Sequence, residues 1–321
     1  MGPGAGVVHS HPASRVRSAT EERNAIMPVG EAPLLTHAQL VPGRLVHRRA
    51  LSDVLVTEAH ALGDDTFIAG AQWPRNHRLF GRSTDVDVSL VAETVRQVTI
   101  FLAHTEYEVP VGDAFLMGAM QVATVNRVMN EVGPDLAVTI RATELRRSAR
   151  GLASFVVEAV IRDADGEVAR GNASARILDQ RTYARTRRGR TAPLVVNGSG
   201  PGRDTLDVIA PTPRPGVSML VVNTAETAFF DHPLDHVPGM LLIEAARQAI
   251  RADGGPALAG LDAVFDAVVE LDEPCVIVVE RHRDDWLVRF EQSGEIRTSI
   301  IGRRAASRAT SEAALVEVSA G

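Results

Sequence analysis

The sequence contains no lysine, so all 34 of its basic residues are arginines. This absence excludes Schiff-base catalysis, a lysine-held pyridoxal phosphate and the lysine of a Walker A loop. Any anion that the chain holds must be bound by arginine, by backbone amides or by helix ends.

Cysteine and long apolar runs are also scarce. Cys275 is the only cysteine, which excludes an internal disulfide and a multi-cysteine zinc site. No apolar run approaches the roughly 20 residues that span a bilayer, and the first residues lack the apolar core of a signal peptide. We therefore expect a cytoplasmic protein with no membrane among its partners.

The composition is otherwise that of an ordinary globular protein. The 321 residues are 45% apolar and 23% charged, which fits one large domain or two small ones. The net charge of −6 gives no electrostatic reason to expect nucleic acid as a partner.

The same order of elements is predicted twice along the chain. β-Branched and alternating patterns predict strands, and apolar residues at helical period predict one helix in each half. The first half has strands at 45–60 and 65–73, a helix at 88–104, and strands at 136–145, 152–162 and 167–178. The second half has strands at 205–211 and 217–230, a helix at 239–250, and strands at 274–282, 286–293 and 295–304.

This repeat predicts an α+β fold made of a tandem (double) hotdog, in which each half is an antiparallel sheet wrapped around a long central helix. Doubly wound α/β folds are disfavoured because helices do not alternate with strands. Turn signals between the last strands of each half lie at Asp163–Gly166, Arg283–Asp285 and Ser293–Gly294. The predicted boundaries are a disordered tail at 1–35, hotdog domains at 36–180 and 201–305, a linker at 181–200 and a C-terminal tail at 306–321.

The two predicted helices can be aligned without a gap. The stretch that begins at Leu90 matches the one that begins at Leu241 at four of eight positions, and both contain a Glu-x-x-Arg-Gln pattern. Glu93 and Arg96 share one helix face, and so do Glu244 and Arg247. Each pair could be a self-satisfied structural ion pair or a functional one, because burying the two charges unpaired costs several kcal/mol per ion.

A Pro-Gly step precedes the second helix. Gly239 at the helix start exposes a backbone N–H with the positive end of the helix dipole behind it, which could stabilise a carbonyl oxygen as it becomes an oxyanion. Glu244 lies just over one turn further along the same helix. A plain turn into a helix is the alternative.

Three weaker signals are open to two interpretations each. The set Asp231, His232, Asp235 and His236 could ligate a metal, but nothing supplies the rest of a site. Cys275 lies in an alternating strand and is better explained as a small core residue than as a nucleophile. His77 could be an acid–base residue or a solvated loop histidine. No metal and no cofactor are expected.

Several runs resemble a known family, the AfsA-type double hotdog proteins of A-factor (γ-butyrolactone) biosynthesis. The resemblance covers nearly the whole chain between the tails. Its most specific carrier is Asp235-His236-Val237-Pro238-Gly239-Met240-Leu241-Leu242 followed by Glu244-Ala245-Ala246-Arg247-Gln248. The other carriers are Leu45-Val46-His47-Arg48, Ala92-Glu93-Thr94-Val95-Arg96-Gln97, Val109-Pro110-Val111-Gly112 and Phe115-Leu116-Met117.

The resemblance implies an acyltransferase that joins a β-ketoacyl thioester, on acyl carrier protein or coenzyme A, to the hydroxyl of dihydroxyacetone phosphate. The product would be a β-ketoacyl ester phosphate on the way to a γ-butyrolactone or butenolide signal. The positions matching the family's proposed functional residues are Glu93, Glu244 and Arg247. Acyl carrier protein is a possible partner, and either a monomer or a homodimer is compatible with the sequence.

Acyl transfer to an alcohol needs a base, an oxyanion donor and a cation for the phosphate. We expect Glu244 to be the general base, with its pKa raised by burial, and Gly239 N–H to be the oxyanion donor. Arg247 would orient Glu244 or bind phosphate, and Glu93 would support the site. The further candidates for substrate binding are His236, Arg96, Gln97, Gln248 and His77.

Two alternatives remain open at this point. A hotdog thioesterase would need only water in place of the alcohol, whereas a dehydratase would need a histidine fourteen residues before Glu244, where the chain has Phe230. A non-catalytic acyl-ligand-binding regulator is disfavoured by the retained Glu/Arg pairs. The first helix is preceded by Asp85-Val86-Asp87-Val88 instead of Pro-Gly, so we expect one active site per chain.

Overall fold

The computed structural model describes residues 1, 33–75, 77, 79–80, 84–125, 127–188, 190 and 206–304. The predicted C-terminal tail, most of the predicted N-terminal tail and the second half of the predicted linker lie outside these residues. The chain from Pro33 onward forms one compact unit.

Twelve strands of the described residues form one antiparallel sheet. The first half contributes β1 (Val56–Gly63), β2 (Thr66–Gln72), β3 (Ala114–Thr124), β4 (Asp135–Ser148), β5 (Gly151–Asp163) and β6 (Gly166–Leu178). The second half contributes β7 (Ile209–Pro211), β8 (Val217–Leu220), β9 (Leu258–Phe265), β10 (Val276–His282), β11 (Asp285–Gln292) and β12 (Glu295–Arg304).

The strand order repeats about the centre of the sheet. The order is β1-β2-β4-β5-β6-β3-β9-β12-β11-β10-β8-β7. From the centre outward, β3, β6, β5, β4, β2 and β1 therefore occupy the same places as β9, β12, β11, β10, β8 and β7. The two halves therefore share the same strand order, as the repeated element pattern predicts.

The two halves join through β3 and β9. These strands pair antiparallel, with Met120 opposite Ala263 and Val122 opposite Leu261. The sequence-based prediction missed both strands, because their alanine, glycine and methionine residues give little of the β-branched alternation on which strand prediction depends. Pairing of their edges makes the sheet continuous from end to end.

Three α-helices occur in the described residues. Helix α1 (Val88–Thr105) packs on β3 and β6, and α3 (Gly239–Ala252) packs on β12 and contacts α1. Both were predicted from their apolar period. Helix α2 (Gln180–Arg187) begins where a linker was predicted, and Asp179 caps it by accepting hydrogen bonds from two of its amides.

Three predicted strands begin or end elsewhere: β7 (Ile209–Pro211) forms only at the end of 205–211, and the other two are 45–60 and 217–230. The stretch 45–60 is not one strand, because 3₁₀ turns at Gly43–Leu45 and Leu51–Asp53 bend the chain before β1 starts at Val56. His47 between them has φ 53°, a left-handed conformation that interrupts an extended chain. Likewise β8 covers only the beginning of 217–230.

The hairpin turns are confirmed. Strand β5 ends at Asp163 and β6 begins at Gly166, whose φ of 130° is a conformation that favours glycine. Arg283 and Ser293 occupy the corresponding turns of the second half, with φ 55° and 54°. The domain boundaries proposed within the sheet remain predictions. Within the described ranges, no helix has both the length and the apolar character needed to cross a membrane.

Candidate active site

Two cavities lie beside the helices. The large cavity has a volume of about 1140 Å³ and is lined by residues of α1, β3, the loop before α3 and the first turn of α3. The small cavity has a volume of about 340 Å³ and lies between the later turns of α3 and the start of α1.

A buried carboxylate organises one wall of the large cavity. Glu93 is 0% exposed and accepts hydrogen bonds from Arg48 Nε (2.9 Å), Arg96 Nε (2.8 Å) and Gln97 Nε2 (2.6 Å). Burial would raise the pKa of Glu93, but the charges of Arg48 and Arg96 outweigh it and lower that pKa to about 2. Glu93 therefore stays ionised and holds both guanidinium groups, which line the cavity.

The second half repeats part of this arrangement at the small cavity. Glu244 Oε2 accepts a hydrogen bond from Arg247 Nη1 (2.6 Å), and Glu244 Oε1 accepts one from Gln248 Nε2 (2.9 Å). Burial raises the pKa of Glu244, and the charge of Arg247 only partly offsets it. The raised pKa agrees with the sequence-based expectation for Glu244.

Each helix contributes an arginine to the cavity beside the start of the other helix. Arg96 of α1 lines the large cavity together with Gly239 of α3, whereas Arg247 of α3 reaches Asp87 at the start of α1, with Nη2 and Oδ2 3.2 Å apart. Gly239 and Glu244 thus line different cavities. The physical reason is helix geometry. Glu244 follows Gly239 by five residues, and at 3.6 residues per turn this step rotates the side-chain direction by about 140°.

The two helix starts differ in their capping. Asp87 caps α1 because its Oδ1 accepts a hydrogen bond from Ser89 N (2.8 Å). Pro238 holds the equivalent place at α3 and has no side-chain acceptor. No hydrogen bond among the described residues reaches the amides of Gly239 and Met240, so these donors are free to bind a ligand at the large cavity.

A histidine–aspartate pair precedes α3. His236 Nδ1 lies 2.7 Å from Asp235 Oδ1, and the same carboxylate accepts hydrogen bonds from Tyr183 Oη (2.6 Å) and Arg187 Nε (2.8 Å). Burial would raise the pKa of Asp235, but its three donors hold it well below the ordinary value. Because an ionised carboxylate only accepts, His236 Nδ1 donates and Nε2 is the acceptor of the neutral ring. His236, Asp235 and Tyr183 all line the large cavity.

His47 also lines the large cavity, and the sequence analysis gave it no role. Its Nε2 lies 3.0 Å from His104 Nε2, and His104 Nδ1 lies 2.7 Å from the carbonyl oxygen of Val109. The carbonyl can only accept, so His104 Nδ1 donates to it, and in the neutral ring His104 Nε2 is then the acceptor. His104 Nε2 therefore accepts from His47 Nε2–H, and His47 Nδ1 carries the lone pair. Burial and the nearby Arg96 lower the pKa of His47 to about 3, so this ring is neutral at physiological pH.

Other predicted site residues lie away from the large cavity. His77 Nε2 contacts Asp53 (3.2 Å), and its Nδ1 accepts a hydrogen bond from Leu79 N (3.2 Å), so His77 braces the loop before α1. Gln97 Oε1 accepts from Leu55 N (2.8 Å) and Gln248 Oε1 from Val208 N (3.0 Å). Both glutamines therefore tie a helix to the backbone of a neighbouring segment.

Several residues outside the predicted acyl-transfer site also line the large cavity. They are Arg44, His47, Arg48, Arg49, Tyr183 and His232, and His232 is one of the four residues that the sequence offered as possible metal ligands. The run Leu45-Val46-His47-Arg48 was a signal for two of them. No sequence pattern connects Tyr183 to this site, because it lies on α2, in the stretch predicted as a linker.

Metal binding and thiol chemistry receive no support from the described part of the chain. No group of three or more histidine, cysteine or acidic residues there is placed to hold a metal ion. The thiol of Cys275 is buried, and burial raises its pKa to about 12, which disfavours the reactive thiolate.

An antiparallel sheet packed on two long helices, with an ion-pair-lined cavity at the start of one helix, defines a hotdog-fold protein. The chain belongs to the AfsA family, the A-factor biosynthesis hotdog domain, whose model matches residues 31–179 and 208–285.

Its relatives include two named enzymes. The chain is 34% identical to the 2-oxo-3-(phosphooxy)propyl 3-oxoalkanoate synthase of Streptomyces virginiae, over 75% of this chain and 87% of that protein. It is 31% identical to the synthase of the same name from Streptomyces coelicolor, over 74% and 81%. Among solved structures it matches the 12:0-ACP thioesterase from Umbellularia californica with TM-score 0.47 and 10% identity, over 76% of this chain and 98% of that one.

Proposed function

We propose that this protein is an acyltransferase that condenses a β-ketoacyl thioester with dihydroxyacetone phosphate. The hydroxyl oxygen of the acceptor attacks the thioester carbonyl carbon, the carbon–sulfur bond breaks, and the hydroxyl proton ends on the released thiol. The ester phosphate formed would lead to a γ-butyrolactone or butenolide signal. Membership of the AfsA family, with relatives named as synthases of this ester phosphate, is the observation that carries the proposal.

We place the reaction in the large cavity, because it combines an apolar wall with fixed positive charge. The acyl chain would lie against the apolar lining residues Ile100, Phe115, Leu116, Met117, Met240 and Leu242. Arg48 and Arg96 share the carboxylate of Glu93, and Arg44 and Arg49 also line the cavity. These guanidinium groups suit the phosphate of the acceptor.

The free amides at the start of α3 would stabilise the thioester oxygen as negative charge develops on it. Gly239 N–H is the donor proposed from the sequence, and it lies at the positive end of the α3 dipole. Since Gly239 lines the large cavity with Arg96, the donor and the cation would act on one ligand bound there.

A base is needed for the acceptor hydroxyl. Glu244 was expected in this role, but it lines the small cavity, whereas His236 lines the large one. We therefore propose that His236 Nε2 accepts the proton, while Asp235 holds the ring in the required tautomer. Glu93 then acts as a positioning residue for Arg48 and Arg96, and Glu244 and Arg247 fix α3 against α1.

The proposed partners are the thioester donor, on acyl carrier protein or coenzyme A, and dihydroxyacetone phosphate, with the reaction in the cytoplasm. Purified protein would be incubated with β-ketoacyl thioester with and without dihydroxyacetone phosphate, and the products analysed by mass spectrometry. A phosphorylated ester that forms only with the acceptor supports the transferase. Phosphate-independent release of acid would identify a thioesterase, and unchanged thioester would leave an acyl-ligand binder.

A further inference from the structure

The internal repeat allows the two cavities to be compared residue by residue. Aligning Glu93 with Glu244 also aligns Arg96 with Arg247, because both pairs are three residues apart. The glutamines confirm this alignment in three dimensions. Gln97 Nε2 donates to Asp53 O (2.7 Å), and Gln248 Nε2 donates to Leu206 O (2.7 Å).

The small cavity contains an anion supplied by the protein. One oxygen of the Asp87 carboxylate accepts a hydrogen bond from Ser89 N (2.8 Å), and the other contacts Arg247 Nη2 (3.2 Å). The Asp87 side chain is buried, whereas that of Arg247 is 18% exposed, and both line the small cavity. A carboxylate therefore bridges an arginine of one helix and the N-terminus of the other.

The large cavity has the same two binding groups but no such carboxylate. The alignment places Arg96 at the position of Arg247, Met240 at the position of Ser89 and Pro238 at the position of Asp87. Arg96, Pro238 and Met240 all line the large cavity. Pro238 has no polar side-chain atom to fill the place of the Asp87 carboxylate.

The two cavities also differ in the carboxylates that face their arginines. At the small cavity, Asp87 and Glu244 both face Arg247, so the arginine is fully compensated. At the large cavity, Glu93 pairs with both Arg48 and Arg96, and Asp231 adds its negative charge near Arg48. Among the described residues Arg96 has no salt bridge to a second carboxylate, so an external anion would take the place that Asp87 has at Arg247.

From this comparison we infer that the space between Arg96 and the first amides of α3 is a subsite for an anionic oxygen group of the ligand. Asp87 is the permanent substitute for that group in the small cavity. The source of the anion rests on the proposed function: it is either the phosphate of the acceptor or the oxyanion of the thioester. A phosphate fits the two-oxygen contact that Asp87 makes.

The substitution Pro238→Asp would place a carboxylate in this subsite. We expect it to cap Met240 N and pair with Arg96, as Asp87 does with Ser89 and Arg247. The matched control is Pro238→Asn, which has the same shape and also caps the helix but carries no charge. Thermal unfolding of both variants, with midpoints at or above that of the unchanged protein, would show that the fold is intact.

Binding of inorganic phosphate and of dihydroxyacetone phosphate would be measured by titration calorimetry for all three proteins. We expect Pro238→Asp to weaken both at least about tenfold and Pro238→Asn to weaken them less, because only the aspartate neutralises Arg96. Unchanged phosphate binding with turnover lost only in Pro238→Asp would assign the subsite to the thioester oxyanion.

Two further outcomes separate this inference from the proposed function. If the unchanged protein has no transferase activity but its phosphate binding responds to Pro238→Asp, the subsite stands and the proposed reaction fails. If Pro238→Asp changes neither binding nor turnover, the subsite is refuted. A protein that neither binds phosphate nor turns over would refute both.

Discussion

Arg247 on α3 contacts Asp87 at the start of α1, with Nη2 and Oδ2 3.2 Å apart, although the two residues are 160 positions apart in the chain. The Asp87 carboxylate lies between Arg247 and the start of α1, whereas Pro238 supplies no carboxylate at the corresponding place in the large cavity. The two Glu-x-x-Arg-Gln patterns therefore differ in their surroundings. The one on α1 lies at the large cavity, and the one on α3 joins the two helices.

The first prediction concerns which cavity carries the reaction. We expect Arg96→Gln to lower kcat/KM about 100-fold or more, because it removes a charge-assisted contact to the ligand at the large cavity. Glu244→Gln, at the small cavity, should lower it less than about tenfold. Steady-state kinetics with both substrates would measure the two losses. The opposite order would restore Glu244 as the base and move the reaction to the small cavity.

The second prediction tests the proposed base. His236→Ala should lower kcat by a factor of about 100 or more, the usual contribution of a general base, with a smaller effect on KM. Asp235→Asn should also lower kcat, because the amide no longer fixes the tautomer of the His236 ring.

Tyr183→Phe is the matched control for that pair. It removes the hydroxyl that donates to Asp235 but leaves the contact between Asp235 and His236 in place. We expect its kcat to stay within about fivefold of the unchanged protein. Full activity of His236→Ala would rule out His236 as the base.

The third prediction concerns stability in acid. The folded-state pKa of Glu93 is about 2, against an ordinary value of 4.5. The stability that Glu93 contributes is therefore complete above pH 4.5 and is lost as the pH falls from 4.5 towards 2. Denaturant titrations between pH 7 and 3 should show a steep loss in the unchanged protein and a shallower one in Glu93→Gln.

At pH 7, Glu93→Gln should lower the free energy of unfolding by about 3 kcal/mol or more, because it leaves the buried Arg48 and the partly buried Arg96 without their carboxylate. Glu244→Gln is the control, because the pKa of Glu244 is shifted in the opposite direction. The raised pKa of Glu244 means that its ionisation costs stability as the pH rises, and Arg247 keeps Asp87 as a partner. The free energy of unfolding of Glu244→Gln should therefore fall by less. An equal loss in both variants would contradict the assignment.

The fourth prediction concerns the contact between β3 and β9. Met120 is 0% exposed and lies opposite Ala263, so Met120→Ala should lower the free energy of unfolding by about 2–5 kcal/mol. Val264→Ala lies on the same pair of strands but is 45% exposed, and should cost less than about 1 kcal/mol. Circular dichroism during urea titration would measure both. Similar losses in the two variants would show that the large side chain of Met120 is not part of a packed core.

Much of the fold could be predicted because its signals are local. The apolar period of α1 and α3 and the turn residues Asp163, Gly166 and Gly294 are properties of a few consecutive residues, and the structure has those elements. Strands β3 and β9 were missed because they are held by pairing with β6, with β12 and with each other, which their own composition does not reveal.

The candidate site was only partly predictable for a similar reason. Gly239, His236 and Arg96 were selected from the sequence, and the structure brings all three to the large cavity. Their connection with Glu244 was inferred from proximity along one helix, and the rotation of that helix separates them. The hydrogen bond of Tyr183 to Asp235 joins residues 52 positions apart, which no local pattern reveals.

The sequence by itself determined which chemical groups are available: arginine as the basic side chain, two Glu-x-x-Arg-Gln helices, and one helix start with Pro-Gly against one with aspartate. Only the tertiary structure decided how these groups combine, because each cavity takes its arginine from one helix and its amides from the other. Antiparallel pairing of β3 with β9 sets that exchange, since it brings the two halves together edge to edge.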